Sequence, residues 1–238
     1  ANPPPRQRPS SYTRRQDPMP DPPVDIVYKV AAGLMGEVFI GKCPRKNLEY
    51  RPMHRDLQEI LIDEEALQAR IGELAAQISL DYKGRCVTLV GVLKGCVPFL
   101  SDLLKRLTVE TNVDFIMVTS YSGPQSTGVV RTILDLKQNI EKKDVLIVED
   151  IVDSGLTMSY MLKNFSTRRP QTLAVCTLLD KLSCRKTRVP IKYKGFVIPA
   201  KFVVGYGLDY NELYRNLPCI GVLKRSVIME SQGKRKCR

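Results

Sequence analysis

One histidine, His54, is all the imidazole this chain of 238 residues carries. Histidine-based acid–base catalysis and His-rich metal centres are therefore close to excluded. The seven cysteines (Cys43, Cys86, Cys96, Cys176, Cys184, Cys219 and Cys237) include no C-x-x-C pair. An odd, widely spaced set argues for reduced thiols inside a cell, and against both a disulfide framework and a zinc site. No apolar run approaches the roughly 18 residues of a spanning helix, so a soluble protein without a membrane partner is expected.

What is present points to an ordinary globular domain with extensions. Apolar residues make up 43% and charged residues 26% of the chain, enough to bury a real core. The net charge of +12 is unevenly placed. Residues 1–56 hold ten Lys/Arg against six acids, residues 224–238 six against one, and residues 57–223 21 against 18. Basicity thus sits in the ends, and short basic tails are commonly just solvated, so no nucleic-acid partner is expected.

The first 23 residues contain eight prolines and almost no apolar periodicity, which predicts a disordered or extended front. Its arginines and scarcity of acids resemble an organelle transit peptide, although serine is sparse. The chain begins at Ala1 and not at Met, which leaves its true start open. The cytoplasm is the default compartment, with organelle import through the front as the alternative. Residues 24–56 show apolar stretches without a period. The sequence thus divides into a Pro/Arg-rich extension (1–56), a central domain (57–223) and a basic C-terminal tail (224–238).

In the central domain Leu67, Ile71, Leu74 and Ile78 recur at helical spacing, with Asp63 as a candidate N-cap and Gly84 as the stop. Residues 86–93, "CVTLVGVL", read as a buried strand, and "VPFLSDLLKRL" after it as a helix. "VDFIMVTSY" (113–121), "VLIVED" (145–150), "QTLAVCTLLDK" (171–181) and "KFVVGYGLDY" (201–210) read as four more strands. Unbroken apolar strands alternating with amphipathic helices predict an α/β fold: a mostly parallel five-stranded sheet flanked by helices. Ligands of such sheets bind outside the strands' carboxyl ends. The residues placed there are Lys94 and Gly95, Ser120 and Tyr121, Glu149, Asp150 and Asp153, Asp180 and Lys181, and Leu208 and Asp209.

The stretch "VLIVEDIVDSGLT" carries the most chemistry. Three carboxylates within five positions repel one another unless a cation, a diol or a proton to be moved lies between them. The turn through Ser154 and Gly155 into a helix at Leu156 and Thr157 offers free backbone N–H groups at the positive end of a helix dipole, which suits a phosphate. The plain alternative is an ordinary capped helix after a strand. A phosphate pocket beside two acids matches a ribose 5-phosphate, with amides for the phosphate and carboxylates for the hydroxyls.

With "VGVLKGCVPFLSDLLKRL", "SYSGPQSTG", "LLDK" and "FVVGYGLDYNELYRNLPCIGVL" in the same order, the chain over roughly residues 57–223 resembles the hypoxanthine-guanine phosphoribosyltransferases, within the type I phosphoribosyltransferase fold with its small hood subdomain. The resemblance implies transfer of phosphoribose from phosphoribosyl pyrophosphate to a 6-oxopurine, with Mg²⁺, by a dimer or tetramer. Glu149 and Asp150 would hold the ribose hydroxyls, with Asp153, Ser154, Gly155, Leu156 and Thr157 around the 5-phosphate. Asp153 would act as general acid/base near the purine N7, a role that burial and neighbouring acids favour by raising a carboxyl's pKa. Lys94, Gly95 and Arg215 would take the pyrophosphate, the Lys94–Gly95 loop often carrying a cis peptide in this family. Asp209 would reach magnesium, assisted by Glu149 and Asp150. Lys181, Phe202 and Val203 would read the purine, with Asp209 close by, and Ser120 and Tyr121 would head a mobile loop. Leu182 and Cys184 stand where many relatives have proline and arginine.

Taken without the resemblance, Lys181 is a solvated surface lysine and Phe202 a core aromatic. Xanthine remains open as a base, whereas Lys181 argues against adenine, which would meet a donor with a donor. A regulator on the same fold, binding phosphoribosyl pyrophosphate as a signal, would dispense with the general acid/base, and an idle interaction protein would lose several site residues. Asp153, Lys181, Asp209 and Arg215 are all present.

Overall fold

A computed structural model describes residues 55–120 and 130–234. The proline-rich front, Tyr121 with most of its polar loop, and the last four residues lie outside the described residues. The chain runs β1 (Leu57–Ile62), α1 (Glu64–Asp81), β2 (Val87–Leu93), α2 (Val97–Leu104), β3 (Thr111–Ser120), β4 (Val130–Leu134), β5 (Asp144–Val152), α3 (Leu156–Ser166), β6 (Thr172–Asp180), β7 (Tyr193–Val197), β8 (Val203–Val204), β9 (Ile220–Leu223) and α4 (Arg225–Lys234).

The six-stranded sheet has the order β4-β3-β2-β5-β6-β7. Strands β3, β2, β5, β6 and β7 are mutually parallel, and β4 adds an antiparallel edge through its pairing with β3. The five parallel strands agree with the expected number, but the fifth is not the one expected. Residues 201–210 contribute only the two-residue β8, and β7, whose lysine and glycine break its apolar run, takes the sheet position instead. The reason is local: Gly205, Tyr206 and Gly207 all have positive φ, which ends the extended chain.

The unbroken apolar run of β5 follows from burial on both faces. Leu146 and Val148 pack with α1 and α2 side chains such as Leu67, Ile71 and Phe99, whereas Val145 and Ile147 meet Met158, Met161 and Phe165 of α3. Each fully buried aliphatic side chain contributes roughly 2 kcal/mol of transfer free energy. Helix α1 starts as its sequence predicts, with the Asp63 carboxylate accepting from the Ala66 N–H at 2.8 Å. The second sheet, β1-β9-β8, is antiparallel and joins the two ends of the domain, Leu57 facing Leu223. It is the expected small hood. Asp56 anchors it, accepting from Tyr214 Oη at 2.8 Å while its carbonyl accepts from the Lys224 N–H.

Asp102 on α2 ties the layers together. It accepts from Gln68 Nε2 of α1 at 2.8 Å and from Tyr206 Oη at 2.5 Å, and it pairs with Lys105 at 2.6 Å. Burial alone would raise its pKa, but these partners outweigh burial and hold it at about 2. A depressed carboxyl stabilises the fold fully above its unfolded pKa of about 4 and loses that contribution as pH falls through its folded value. Asp102→Asn should therefore lower Tm at neutral pH, with the deficit relative to the parent closing between about pH 4 and 2. Thermal melts across that range check it; a deficit independent of pH contradicts it.

Among the described residues no helix is long and apolar enough to cross a membrane.

Candidate functional site

Parallel strands bring their carboxyl ends to one edge, and there the sequence's polar exits meet. The register pairs Gly91 of β2 with Val148 of β5 and Val152 of β5 with Asp180 of β6. The β2 exit is therefore beside Glu149 and Asp150, and Lys181 is beside Asp153. The Leu93–Lys94 peptide is cis. Gly95 follows it, where a Cβ would stand 1.6 Å from Asp150 Oδ2. Only glycine lets the loop lie on that carboxylate. Gly207 approaches from the other side, its Cβ position 1.9 Å from the Gly95 carbonyl oxygen. Residues 205–215 thus reach the site by folding over the β2 exit, not as a strand end.

Glu149 and Asp150 form a coupled acid pair. Glu149 Oε2 is buried and has no hydrogen-bond partner among the described residues. Burial, then the Asp150 charge and a carboxyl–carboxyl hydrogen bond, push Glu149 well above the usual carboxylate range. Burial also raises Asp150, whose Oδ1 accepts from the Ile151 N–H at 2.9 Å. Two negative charges side by side are disfavoured here, and a cation or hydroxyl donors would relieve them.

Beyond the pair the chain turns into α3. Gly155 is left-handed at φ 82° and is the N-cap, with no side-chain cap. Its Cβ would meet the Thr187 carbonyl oxygen at 2.7 Å, so glycine fits both the turn and the packing. The Ser154 carbonyl accepts from the Lys186 and Thr187 N–H groups, fixing the loop, while the Leu156 N–H reaches Ser154 Oγ only at 3.4 Å. Helix N-terminal N–H groups without a side-chain cap make an anion cradle, with the Thr157 hydroxyl in the same turn.

Asp153 departs from expectation: its side chain is 52% exposed, whereas Asp150 is buried and Glu149 is half-buried with its Oε2 atom inside. The sequence placed it after an apolar run, but β5 ends at Val152 and Asp153 stands past the sheet. Its partner is Lys181, whose Nζ lies 3.4 Å from Asp153 Oδ2 and whose side chain is only 10% exposed. Lys181 is thus no surface lysine. Phe202 is no core aromatic: it is 48% exposed, with its ring edge-on to Tyr210 at 5.6 Å. Val203 is buried in β8 and pairs with Val222.

Arg215 donates to the Gly207 carbonyl at 2.7 Å and pairs with Asp209 Oδ1 at 2.9 Å; Asp209 Oδ2 accepts from the Glu212 N–H at 2.9 Å. Glu212 in turn bridges Lys94 at 2.8 Å and Arg215 at 3.4 Å. Sequence reading passed over Glu212 and Arg185, and gave Asp180 no role beyond its place at a strand exit. Asp180 is 1% exposed between Arg185 and Lys194, and Arg185 also donates to the Val152 carbonyl. Arg185 therefore ties the residue before Asp153 to the residue before Lys181. Its position in "DKLSCRK" offers no periodic or motif signal by which sequence alone finds this.

Residues 58–211 match the family described as the phosphoribosyl transferase domain, which is more than half of the chain. The chain belongs to the phosphoribosyl transferase family. Among its relatives in that family, the hypoxanthine-guanine phosphoribosyltransferase of Staphylococcus aureus is 49% identical over 176 residues, 74% of this chain and 98% of that protein. A crystal structure of a hypoxanthine phosphoribosyltransferase from the same organism is 49% identical, covers 75% of this chain and 98% of its own, and superposes with a TM-score of 0.73. The bifunctional protein TilS/HprT of Listeria innocua is 48% identical over 179 residues, 75% of this chain; this chain spans only 28% of that longer protein.

Proposed function

We propose that the chain is a purine-salvage enzyme that moves the 5-phosphoribosyl group from phosphoribosyl pyrophosphate to hypoxanthine or guanine, giving IMP or GMP and pyrophosphate. The observation that carries this reading is the Lys181–Asp153 pair, 3.4 Å apart, beside the α3 cradle and the Glu149–Asp150 pair. Glu149 and Asp150 hold the ribose hydroxyls and stabilise the positive charge that grows on the sugar ring. Residues 153–157 hold the 5-phosphate. The bond from ribose C1′ to pyrophosphate breaks with its electron pair leaving on pyrophosphate, and the purine N9 lone pair forms the new bond. As N9 bonds to C1′, Asp153 takes the proton that N7 loses, and Lys181 donates to O6, so a 6-amino base is refused. The half-exposed Phe202 offers a stacking face.

Lys94, the Gly95 backbone and Arg215 receive the pyrophosphate. A loop closing from Ser120 and Tyr121 would exclude the water that otherwise captures the ribosyl cation. The site suits Mg²⁺: Glu149 Oε2 is an orphaned hard oxygen, and Asp150 and Asp209 would offer further carboxylate oxygens. Among the described residues no three metal-binding side chains converge, and Glu149, Asp150 and Asp209 would hold Mg²⁺ together with oxygens of the substrate. When bound, Mg²⁺ supplies charge neutralisation on the leaving pyrophosphate. We read the protein as a homo-oligomer, dimer or tetramer, on the family resemblance. The cytoplasm suits the free thiols of Cys86, Cys96, Cys176, Cys184 and Cys219.

With phosphoribosyl pyrophosphate, Mg²⁺ and hypoxanthine, the purified protein should release pyrophosphate and form IMP, and a chelator should stop both. Tight binding of phosphoribosyl pyrophosphate without release would overturn the enzyme in favour of a binding regulator.

A further inference from the structure

Asn211 and Glu212 both have positive φ, 54° and 65°. Tyr210 and Leu213 exchange backbone hydrogen bonds of 3.1 Å across them, which makes a two-residue turn of the type that requires left-handed backbone at both central positions. Asparagine suits the first position and glycine the second; a glutamate there is strained, and its side chain calls for an account. The turn aims that side chain into the cleft between two loops. Glu212 Oε2 lies 2.8 Å from Lys94 Nζ at the β2 exit, and Oε1 lies 3.4 Å from Arg215 Nη2 in the loop that folds over it. Its own N–H is pinned by Asp209 Oδ2, and Arg215 Nη1 is pinned by the Gly207 carbonyl, so the geometry comes from the loop.

One carboxylate therefore spans two cations that approach the site from opposite sides, each oxygen taking one of them. A diphosphate would make the same pair of contacts. We infer that Glu212 is a resident counter-anion, occupying the Lys94–Arg215 cation pair before substrate arrives and yielding it to the diphosphate, so that it sets how tightly diphosphate binds and how fast it leaves. This rests on the reading of Lys94 and Arg215 given above. Exchange is physically easy, because the Lys94 and Glu212 side chains are 52% and 64% exposed and exposed ion pairs contribute little. Lys94, and then Arg215, also hold the Glu212 carboxyl below the usual range, so it stays charged at neutral pH.

The test is calorimetric titration of Mg²⁺ and pyrophosphate into the full chain at low salt, with Glu212→Gln and Glu212→Gly beside the parent. Both variants remove the negative charge, but only glycine also relieves the turn. Diphosphate should bind about three- to tenfold tighter to both, with the gain shrinking as salt is raised. In turnover KM for phosphoribosyl pyrophosphate should fall, and kcat should fall with it where pyrophosphate departure limits. If Glu212 only shapes the turn, Glu212→Gly shifts Tm while diphosphate affinity stays at the parental value in both variants, and the inference is overturned. A parent that binds no pyrophosphate at all overturns the underlying reading of Lys94 and Arg215 instead, and the two failures are thereby told apart.

Discussion

Asp153→Asn lowers kcat with hypoxanthine by about 10²–10⁴-fold, the usual worth of a positioned general acid or base. The Kd for phosphoribosyl pyrophosphate moves little. The split follows from where Asp153 stands. Its side chain is half-exposed and meets Lys181, whereas the acids assigned to the ribose are the half-buried Glu149 and the buried Asp150, and the proposed phosphate cradle is backbone. Asparagine keeps the size and one acceptor oxygen for Lys181 but cannot take a proton. Rapid-mixing turnover beside equilibrium binding of phosphoribosyl pyrophosphate separates the two effects; parallel loss of both would remove Asp153 from the base and give it to the ribose.

Lys181→Ala raises KM for hypoxanthine and guanine by roughly tenfold to a hundredfold, the span of a charge-assisted hydrogen bond of about 1.5–3 kcal/mol. KM for phosphoribosyl pyrophosphate changes far less, and the preference for hypoxanthine over adenine narrows. The side chain is 10% exposed and has Asp153 as its ion-pair partner, so in the proposed complex it exchanges one acceptor for another, O6, without being resolvated. Adenine would present an amino donor to it, which is the source of the discrimination. Steady-state kinetics with each base check this. Unchanged purine KM and unchanged selectivity would make Lys181 a structural partner of Asp153 only.

Local signals in the sequence were strong wherever burial or capping dictated residue type. The unbroken run of β5 is buried on both faces, α1 carries its core stripe and Asp63 cap, and the acid cluster sits at the carboxyl edge. The hood was harder to read because it joins Leu57–Ile62 to Ile220–Leu223, and no periodicity says which distant strands pair. The fifth parallel strand was misplaced because Tyr193–Val197 carries lysine and glycine on an edge, whereas "FVVGYGLDY" looks more strand-like and is broken by three positive-φ residues. Residues 205–215 reach the β2 exit instead through the Gly207–Gly95 contact, a route that no strand periodicity shows. Arg185 and Glu212 escaped for a different reason: each works by bridging segments remote in sequence, and a lone arginine or glutamate carries no mark of that.

The most direct measurement gives the purified protein Mg²⁺, phosphoribosyl pyrophosphate and one base at a time from hypoxanthine, guanine, xanthine, adenine and uracil, and follows nucleotide formation. Turnover with hypoxanthine and guanine and none with adenine or uracil is the result predicted by one site in which Glu149 and Asp150 hold the ribose while Asp153 and Lys181 read a 6-oxopurine. Turnover with adenine at a comparable rate, or none with any base, would contradict it.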